Sequence, residues 1–246
     1  MRLAFSKPVP EAGLGTLIGT FRAEGYEGLQ LKMGQFNSYL DKPQAFVDAW
    51  GSDPGIVSAL IWFDTLDDEG ASRLRSVISF AAAVGSERVV FCHNLSRQGL
   101  TLPDIAELGR TISKFGAEAN ESGVKLSLHH HFDQPVMHHD DFVAFFGATA
   151  PDTVGLTIDT AHLAKSGITD IPAFIREFAP IVDNIHLKDF ADGEWRLLGR
   201  GQLDLPGIID TLDSIGYAGW LCVDEESSAT LSEGFDVSRN WLAGRV

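Results

Sequence analysis

Three stretches of this chain end in the residue types that hold metal ions and move protons. Val154-Gly-Leu-Thr-Ile-Asp159-Thr-Ala-His162 opens as an apolar, β-leaning run, reaches a carboxylate, and places an imidazole three residues later. Lys125-Leu-Ser-Leu128 runs into His129-His130-His131, and Asp183-Asn-Ile185 runs into His186-Leu-Lys188-Asp189. Packing alone gives an apolar strand no reason to finish in Asp-Thr-Ala-His. Neutral imidazole and carboxylate together suit a divalent cation. Three strands ending this way predict one shared metal site at the mouth of a parallel β structure.

The elements that would position these residues alternate along the chain. Strand-like runs cover Arg2 to Ser6, Gly28 to Met33, Ile56 to Phe63 and Arg88 to Cys92, then the three stretches above, and finally Gly219 to Asp224. Helical periodicity falls between them: a segment with Gly25 near its end, Ala45 to Trp50, Asp67 to Val84 with Gly85 as its cap, and Pro103 to Ser122. Further helical stretches are Asp140 to Phe146, Ile171 to Phe178, Leu205 to Ile215, and Leu231 to the end. Eight β-then-α units in 246 residues match a single (β/α)8 TIM barrel spanning residues 1–246. Near-continuous apolar strands also imply a parallel sheet covered on both faces. A doubly wound open sheet is the competitor, but no GxGxxG follows the first strand.

Composition narrows the function. The net charge of −15 argues against a nucleic-acid partner, which calls for a basic face. No apolar run reaches membrane-spanning length, and the polar start Met1-Arg-Leu-Ala-Phe-Ser-Lys is not that of a signal peptide. Two cysteines, Cys92 and Cys222, lie within strands and suit a reducing, cytoplasmic setting. Nothing in the pattern fixes an oligomeric state; a homo-oligomer is compatible with it.

In this fold active sites lie at the C-terminal ends of the strands, so those ends are read together. They supply Lys32 and Gln35, Trp62 and Asp64, His93, His129 and His131, Asp159 and His162, His186 and Lys188, and Asp224 and Glu226. Alternation puts Trp220, Asp224 and Glu226 on one face of the last strand and Glu225 on the other. Trp62 and Trp220 are candidates for an apolar wall against a sugar ring. Arg97, Arg196 and Arg200 are loop cations that could contact a substrate phosphate.

These residues carry a resemblance. Gly123-Val-Lys-Leu-Ser-Leu-His129-His-His131, the Val154–His162 stretch, Ile185-His186-Leu-Lys188-Asp189, Gly199-Arg-Gly201-Gln-Leu-Asp204 and Gly219-Trp220-Leu-Cys-Val-Asp224 resemble, in order and spacing, the motifs of the xylose isomerase-like TIM-barrel superfamily. That superfamily holds sugar isomerases and epimerases, inosose dehydratases and apurinic-site endonucleases. The resemblance implies one divalent ion (Mn, Mg, Zn or Co) held by His129, Asp159, His186 and Asp224, with Glu226 as the alternative last ligand. It implies a substrate-contacting role for His162. The strand-end and loop residues themselves add His131, His93 and Arg200 as substrate-binding candidates, Lys188 as a substrate-holding group or acid, and Asp224, Glu226 or a histidine as base. His131 could instead orient a ligand through its ring N–H.

Two departures from the family pattern matter. His129 and Asp224 both stand where the family usually has Glu. The first change turns a formal site charge of −1 into 0, a stronger Lewis acid, and removes one of the two opposed bases that epimerisation uses. The expected enzyme is therefore a metal-dependent sugar isomerase or epimerase-like protein acting on a small ketose, cyclitol or related hydroxyketone. An inosose dehydratase-like lyase is the first alternative and a non-catalytic sugar-binding barrel the second. In an apurinic-site endonuclease His93 would serve a further zinc, but the Asp-x-His that such a site needs after His186 is missing.

Overall fold

The computed structural model describes residues 1–51 and 55–246. Eight parallel strands close into a barrel: β1 (Arg2–Ser6), β2 (Gly28–Lys32), β3 (Ala59–Asp64), β4 (Arg88–His93), β5 (Lys125–His129), β6 (Gly155–Asp159), β7 (Val182–Leu187) and β10 (Trp220–Asp224). β10 pairs with β7 on one side and with β1 on the other, closing the sheet. Between β7 and β10 a short antiparallel hairpin, β8 (Asp189–Ala191) and β9 (Glu194–Arg196), stands apart from the barrel. Helices cross over between successive strands, so the chain is a (β/α)8 TIM barrel. Among the described residues no helix is long and apolar enough to cross a membrane.

Local chemistry sets most of the boundaries. The helix Asp68–Val84 begins where the Asp67 carboxylate accepts the Gly70 N–H, and ends at Gly85 in the left-handed conformation (φ 74°). The helix Leu102–Glu121 begins at a reciprocal cap between Thr101 and Asp104. Three expectations shift. The third strand starts at Ala59 because residues 56–58 form a turn, in which the Ser58 hydroxyl donates to Leu29 O. Met33 opens the short helix Met33–Phe36 instead of ending β2. The first helix stops at Thr20, and Gly25 closes a later turn.

Alternation along each strand sorts the core into two compartments. Outward residues such as Phe5, Leu29, Leu60, Phe91 and Ile158 pack against the helices in one large apolar layer. At roughly 1.5–3 kcal/mol for each fully buried large apolar side chain, this layer is the main stabiliser. Inside the barrel the apolar clusters are small: Ala59, Ile61, Val90 and Cys92 on one side, Ala4, Trp220 and Cys222 on the other.

The rest of the interior is polar and hydrogen-bonded along its length. His186 Nε2 lies 2.8 Å from Gln30 Oε1, and Gln30 Nε2 donates to Asn184 Oδ1 at 2.7 Å. Asn184 Nδ2 donates to Thr157 Oγ1, the Thr157 and Ser127 hydroxyls meet at 2.8 Å, and Ser127 donates to Asp183 Oδ1. Asp183 Oδ2 pairs with Arg88 at 2.8 Å, near the N-terminal end of the barrel. One chain of side chains thus runs from a strand-end imidazole to the opposite rim.

The hairpin is fixed by Asp189. Its carboxylate accepts from the backbone N–H of Phe190, Gly199, Gly201 and Leu203 at 2.8–3.3 Å. A Cβ on residue 201 would stand 2.1 Å from Asp189 Oδ1, so this position requires glycine. Two motifs that are separate in sequence, His-x-Lys-Asp and Gly-x-Gly-x-Leu-Asp, are therefore two halves of one clasp. Asp189→Ala leaves these N–H groups without their acceptor and is expected to cost about 2–4 kcal/mol. Urea unfolding should show a lower midpoint at unchanged slope, and limited proteolysis should cut first between residues 190 and 203.

Candidate active site

At the C-terminal mouth the inward alternation brings together the tips of β5, β6 and β7. His129, Asp159 and His186 are buried (3%, 0% and 0% exposed), and their ligand atoms lie within 4.8 Å of one another. Each has been oriented by its surroundings. Asp159 spends Oδ1 on the N–H groups of Ala161 and His162, both at 2.9 Å, which caps the helical turn Thr160–Lys165 and leaves Oδ2 without a hydrogen bond. His130 Nε2 accepts the N–H of Asp159 and so braces the same residue from behind. Gln30 Oε1 is an acceptor already receiving Asn184, so His186 carries its hydrogen on Nε2 and turns the Nδ1 lone pair inward. His129 Nδ1 likewise has no hydrogen-bond partner.

Burial keeps the imidazoles in the neutral form that ligates metals. It holds His129 well below its usual value, with His186 and His162 adding to the effect, and it brings His186 down to about 3. Burial pushes Asp159 up to about 6 against the pull of Lys188. Buried ligand atoms without hydrogen-bond partners, the Nδ1 of His129 and His186 and the Oδ2 of Asp159, with Asp224 Oδ2 beside them, fit a divalent cation.

Asp224 sits beside this trio and faces it differently. Its Oδ2 is 2.6 Å from Lys188 Nζ and 3.8 Å from His186 Nδ1, while Oδ1 accepts from Lys32 Nζ at 2.6 Å. Lys188 also reaches Glu226 at 2.7 Å and Asp159 at 3.2 Å. Lys32 reaches the other oxygen of Glu226 at 2.7 Å. Burial works against ionisation of Asp224 and Glu226, but the two ammonium groups overcome it, holding Asp224 well below the usual range and Glu226 at about 2. Burial likewise disfavours the Lys188 ammonium, and Asp159, Asp224 and Glu226 outweigh it, keeping Lys188 charged.

Around the mouth, His162 stacks 3.6 Å from His131, ring centroid to centroid, and 4.7 Å from Trp195 on the hairpin. Phe63 faces His131 at 5.7 Å, and the Lys188 ammonium lies 5.2 Å from the centroid of Trp195.

Three expected wall or contact residues lie elsewhere. Trp62 points outward from β3, packs on Phe36 and donates to Asp64, because 62 is an outward position and Phe63 is the inward one. His93 also points outward, between Phe91 and Phe145, where burial alone lowers it to about 4. It is therefore not placed to hold a further zinc. Trp220 is inward but opens β10, so it fills the barrel at the end away from the mouth, with Arg2 over its ring. Of the loop cations, Arg97 pairs with Asp141 and Arg196 with Glu194, while Arg200 is exposed.

Sequence reasoning places Lys32 among the strand-end residues but gives it no role, and it passes over Gln30 and Trp195. Gly28-Leu-Gln-Leu-Lys32 alternates, which puts Gln30 and Lys32 on the inward face. Asp192-Gly193, both with positive φ, is a hairpin-turn signal that places Trp195 over the mouth.

A (β/α)8 barrel with a His, Asp and His centre at its strand ends defines a class of metal-dependent barrel. The family model described as xylose isomerase-like TIM barrel matches residues 16–244, and the chain belongs to that family. Among curated proteins it is 27% identical over 144 residues to an inosose dehydratase of Clostridium beijerinckii, covering 51% of this chain and 48% of that protein. It is 24% identical over 223 residues to an inosose dehydratase of Klebsiella pneumoniae subsp. pneumoniae, covering 74% of each. The chain thus spans about half the length of the first relative and about three quarters of the second. Among solved structures, the IOLI protein with a bound zinc atom superposes with a TM-score of 0.80 at 17% identity, over 100% of this chain and 98% of that one. An L-ribulose 3-epimerase superposes with a TM-score of 0.78 at 18% identity, over 98% and 92%. At these identities the structural likenesses establish the fold.

Proposed function

We propose that this chain is a single-domain, divalent-metal-dependent enzyme of the sugar isomerase and epimerase type. It acts on a small ketose, cyclitol or related hydroxyketone by removing the proton beside the carbonyl. The observation that carries this reading is the adjacency of two units at the barrel mouth: inward-turned His129, Asp159 and His186, and an ionised pair, Asp224 and Glu226, within reach of the same space. A cation held by the first unit would polarise the carbonyl and ease loss of the neighbouring proton.

The chain's own groups do the rest. Asp224 or Glu226 takes the proton from carbon, being ionised and already held by lysines. His162, its ring clamped between His131 and Trp195, orients a substrate hydroxyl with its unpartnered Nε2. Trp195 and the hairpin cover the mouth against water. Isomerisation returns the proton to the adjacent carbon. The dehydratase reading has its own support in Lys188, an ammonium placed to protonate a departing hydroxyl, and in the curated relatives, which are inosose dehydratases. The acidic balance and the outward His93 speak for a carbohydrate substrate over a nucleic acid, and a cytoplasmic location without a membrane partner completes the proposal.

Turnover over a panel of ketoses and inososes tests it; no turnover of any member with metal-loaded protein would sink the enzymatic reading in favour of a binding barrel. Within an active pair, His162→Ala is expected to lower kcat by about 10²-fold while metal content is unchanged. Loss of the ion in that variant would mean His162 belongs to the centre itself.

A further inference from the structure

We infer that the cation centre consists of three side chains, His129, Asp159 and His186, and that Asp224 stands outside it as part of a separate substrate-binding ring. The ring is closed and alternates in charge: Lys32 to Asp224 at 2.6 Å, Asp224 to Lys188 at 2.6 Å, Lys188 to Glu226 at 2.7 Å, and Glu226 back to Lys32 at 2.7 Å. This inference rests on the sugar-enzyme reading above and names which residues hold the polyol.

Geometry separates the two units. The three centre residues bring their ligand atoms within 4.8 Å of one another, and Asp224 is not a member of that group. Both oxygens of Asp224 lie 2.6 Å from an ammonium, one from each lysine, whereas Asp159 spends Oδ1 on backbone N–H groups and keeps Oδ2 farther from Lys188, at 3.2 Å. Its side chain is also one methylene shorter than the Glu of the family pattern, so its carboxylate stops at the lysines. The groups facing the ring from outside are Asp159, 3.2 Å from Lys188, and His186, whose Nδ1 is 3.8 Å from Asp224.

The ring suits hydroxyl groups. Its inner half, Asp224 and Lys188, is buried, with side chains 1% and 2% exposed, while Glu226 and Lys32 reach the solvent side at 26% and 14%. Two carboxylates and two ammonium groups are formally neutral together, so the ring offers paired acceptors and donors without a strong net charge. Neighbouring hydroxyls of a polyol, each both donor and acceptor, can replace the ring's outer contacts one for one. A phosphate would meet two carboxylates.

Zinc affinity by competition with a chromophoric chelator, and xylitol binding by tryptophan fluorescence, test the inference on wild type and variants. Asp159→Asn is expected to weaken zinc binding by about 100-fold or more, while Asp224→Asn and Lys32→Met stay within about 5-fold of wild type. The same two variants should weaken xylitol binding by about 10-fold or more, the range of one lost charged hydrogen bond. Asp224→Glu adds the missing methylene and should tighten zinc by about 10-fold, a check that does not depend on how Asp224→Asn folds. Zinc loss in Asp224→Asn equal to that in Asp159→Asn, with normal wild-type affinity, would overturn the three-residue centre. So would unchanged zinc affinity in Asp224→Glu. Unchanged xylitol binding in both ring variants, or none in wild type, would overturn the ring's role. Wild type that binds no zinc would instead remove the metal-dependent reading from which the inference starts.

Discussion

Protein purified with supplementary metal and freed of excess ion is expected to retain one divalent ion per chain. Asp159→Ala and His186→Ala should each reduce this to near zero while the circular dichroism spectrum and thermal transition remain those of a folded barrel. Both side chains are fully buried and contribute ligand atoms that have no hydrogen-bond partner, so truncating either removes a ligand from the centre. The fold should survive because the apolar layer between strands and helices does not include them. Elemental analysis reads the result directly. About three ions per chain would point to endonuclease-type chemistry, and none in the wild type would remove the site.

The second large effect concerns the proton. With an active substrate in D₂O, deuterium is expected to enter at the carbon beside the carbonyl, and Asp224→Asn should slow that exchange by about 10²- to 10⁴-fold. Asp224 is ionised, buried and held by two ammonium groups, so its amide replacement keeps the shape and loses the base. By its resemblance to the family pattern, His129 stands where a Glu would supply the second, opposed base of symmetric epimerisation. Fast interconversion of C3 epimers of a free ketose would therefore contradict the one-sided arrangement. Mass spectrometry of recovered substrate distinguishes the cases.

The barrel was legible because its strands are short apolar runs, several of whose ends carry histidine and carboxylate. His129, Asp159 and His186 fall at those ends, and alternation alone turns all three inward. Trp62 and His93 were misplaced for a reason of parity. They sit near strand ends, as a site residue does, but one step out of phase, with Phe63 and Cys92 taking the inward positions. The hairpin was missed because its signal, Asp192-Gly193, is only two residues long and its flanking strands have three each. The role of Asp189 lay beyond sequence reasoning altogether, since its partners are backbone N–H groups 10 to 14 residues away. The capture of Asp224 by Lys32 of β2 and by Lys188, just past β7, likewise depends on three-dimensional closure.

The hydrogen-bonded line from His186 to Arg88 changes how this protein can vary. A barrel filled with leucine and valine accepts substitutions by volume, because dispersion contacts have no direction. Here Gln30, Asn184, Thr157 and Ser127 each serve as donor to one neighbour and acceptor from another, and Asp183 ends the line as an acceptor, so the interior has a polarity. Replacing one member strands the next, whereas replacing several together with apolar residues could even raise the melting temperature. Such a repacked barrel would be sturdier and yet leave the His186 ring free to turn. Sequence change along this line is therefore coupled: these positions have to move in company or not at all, and thermal robustness is traded against the orientation of one imidazole.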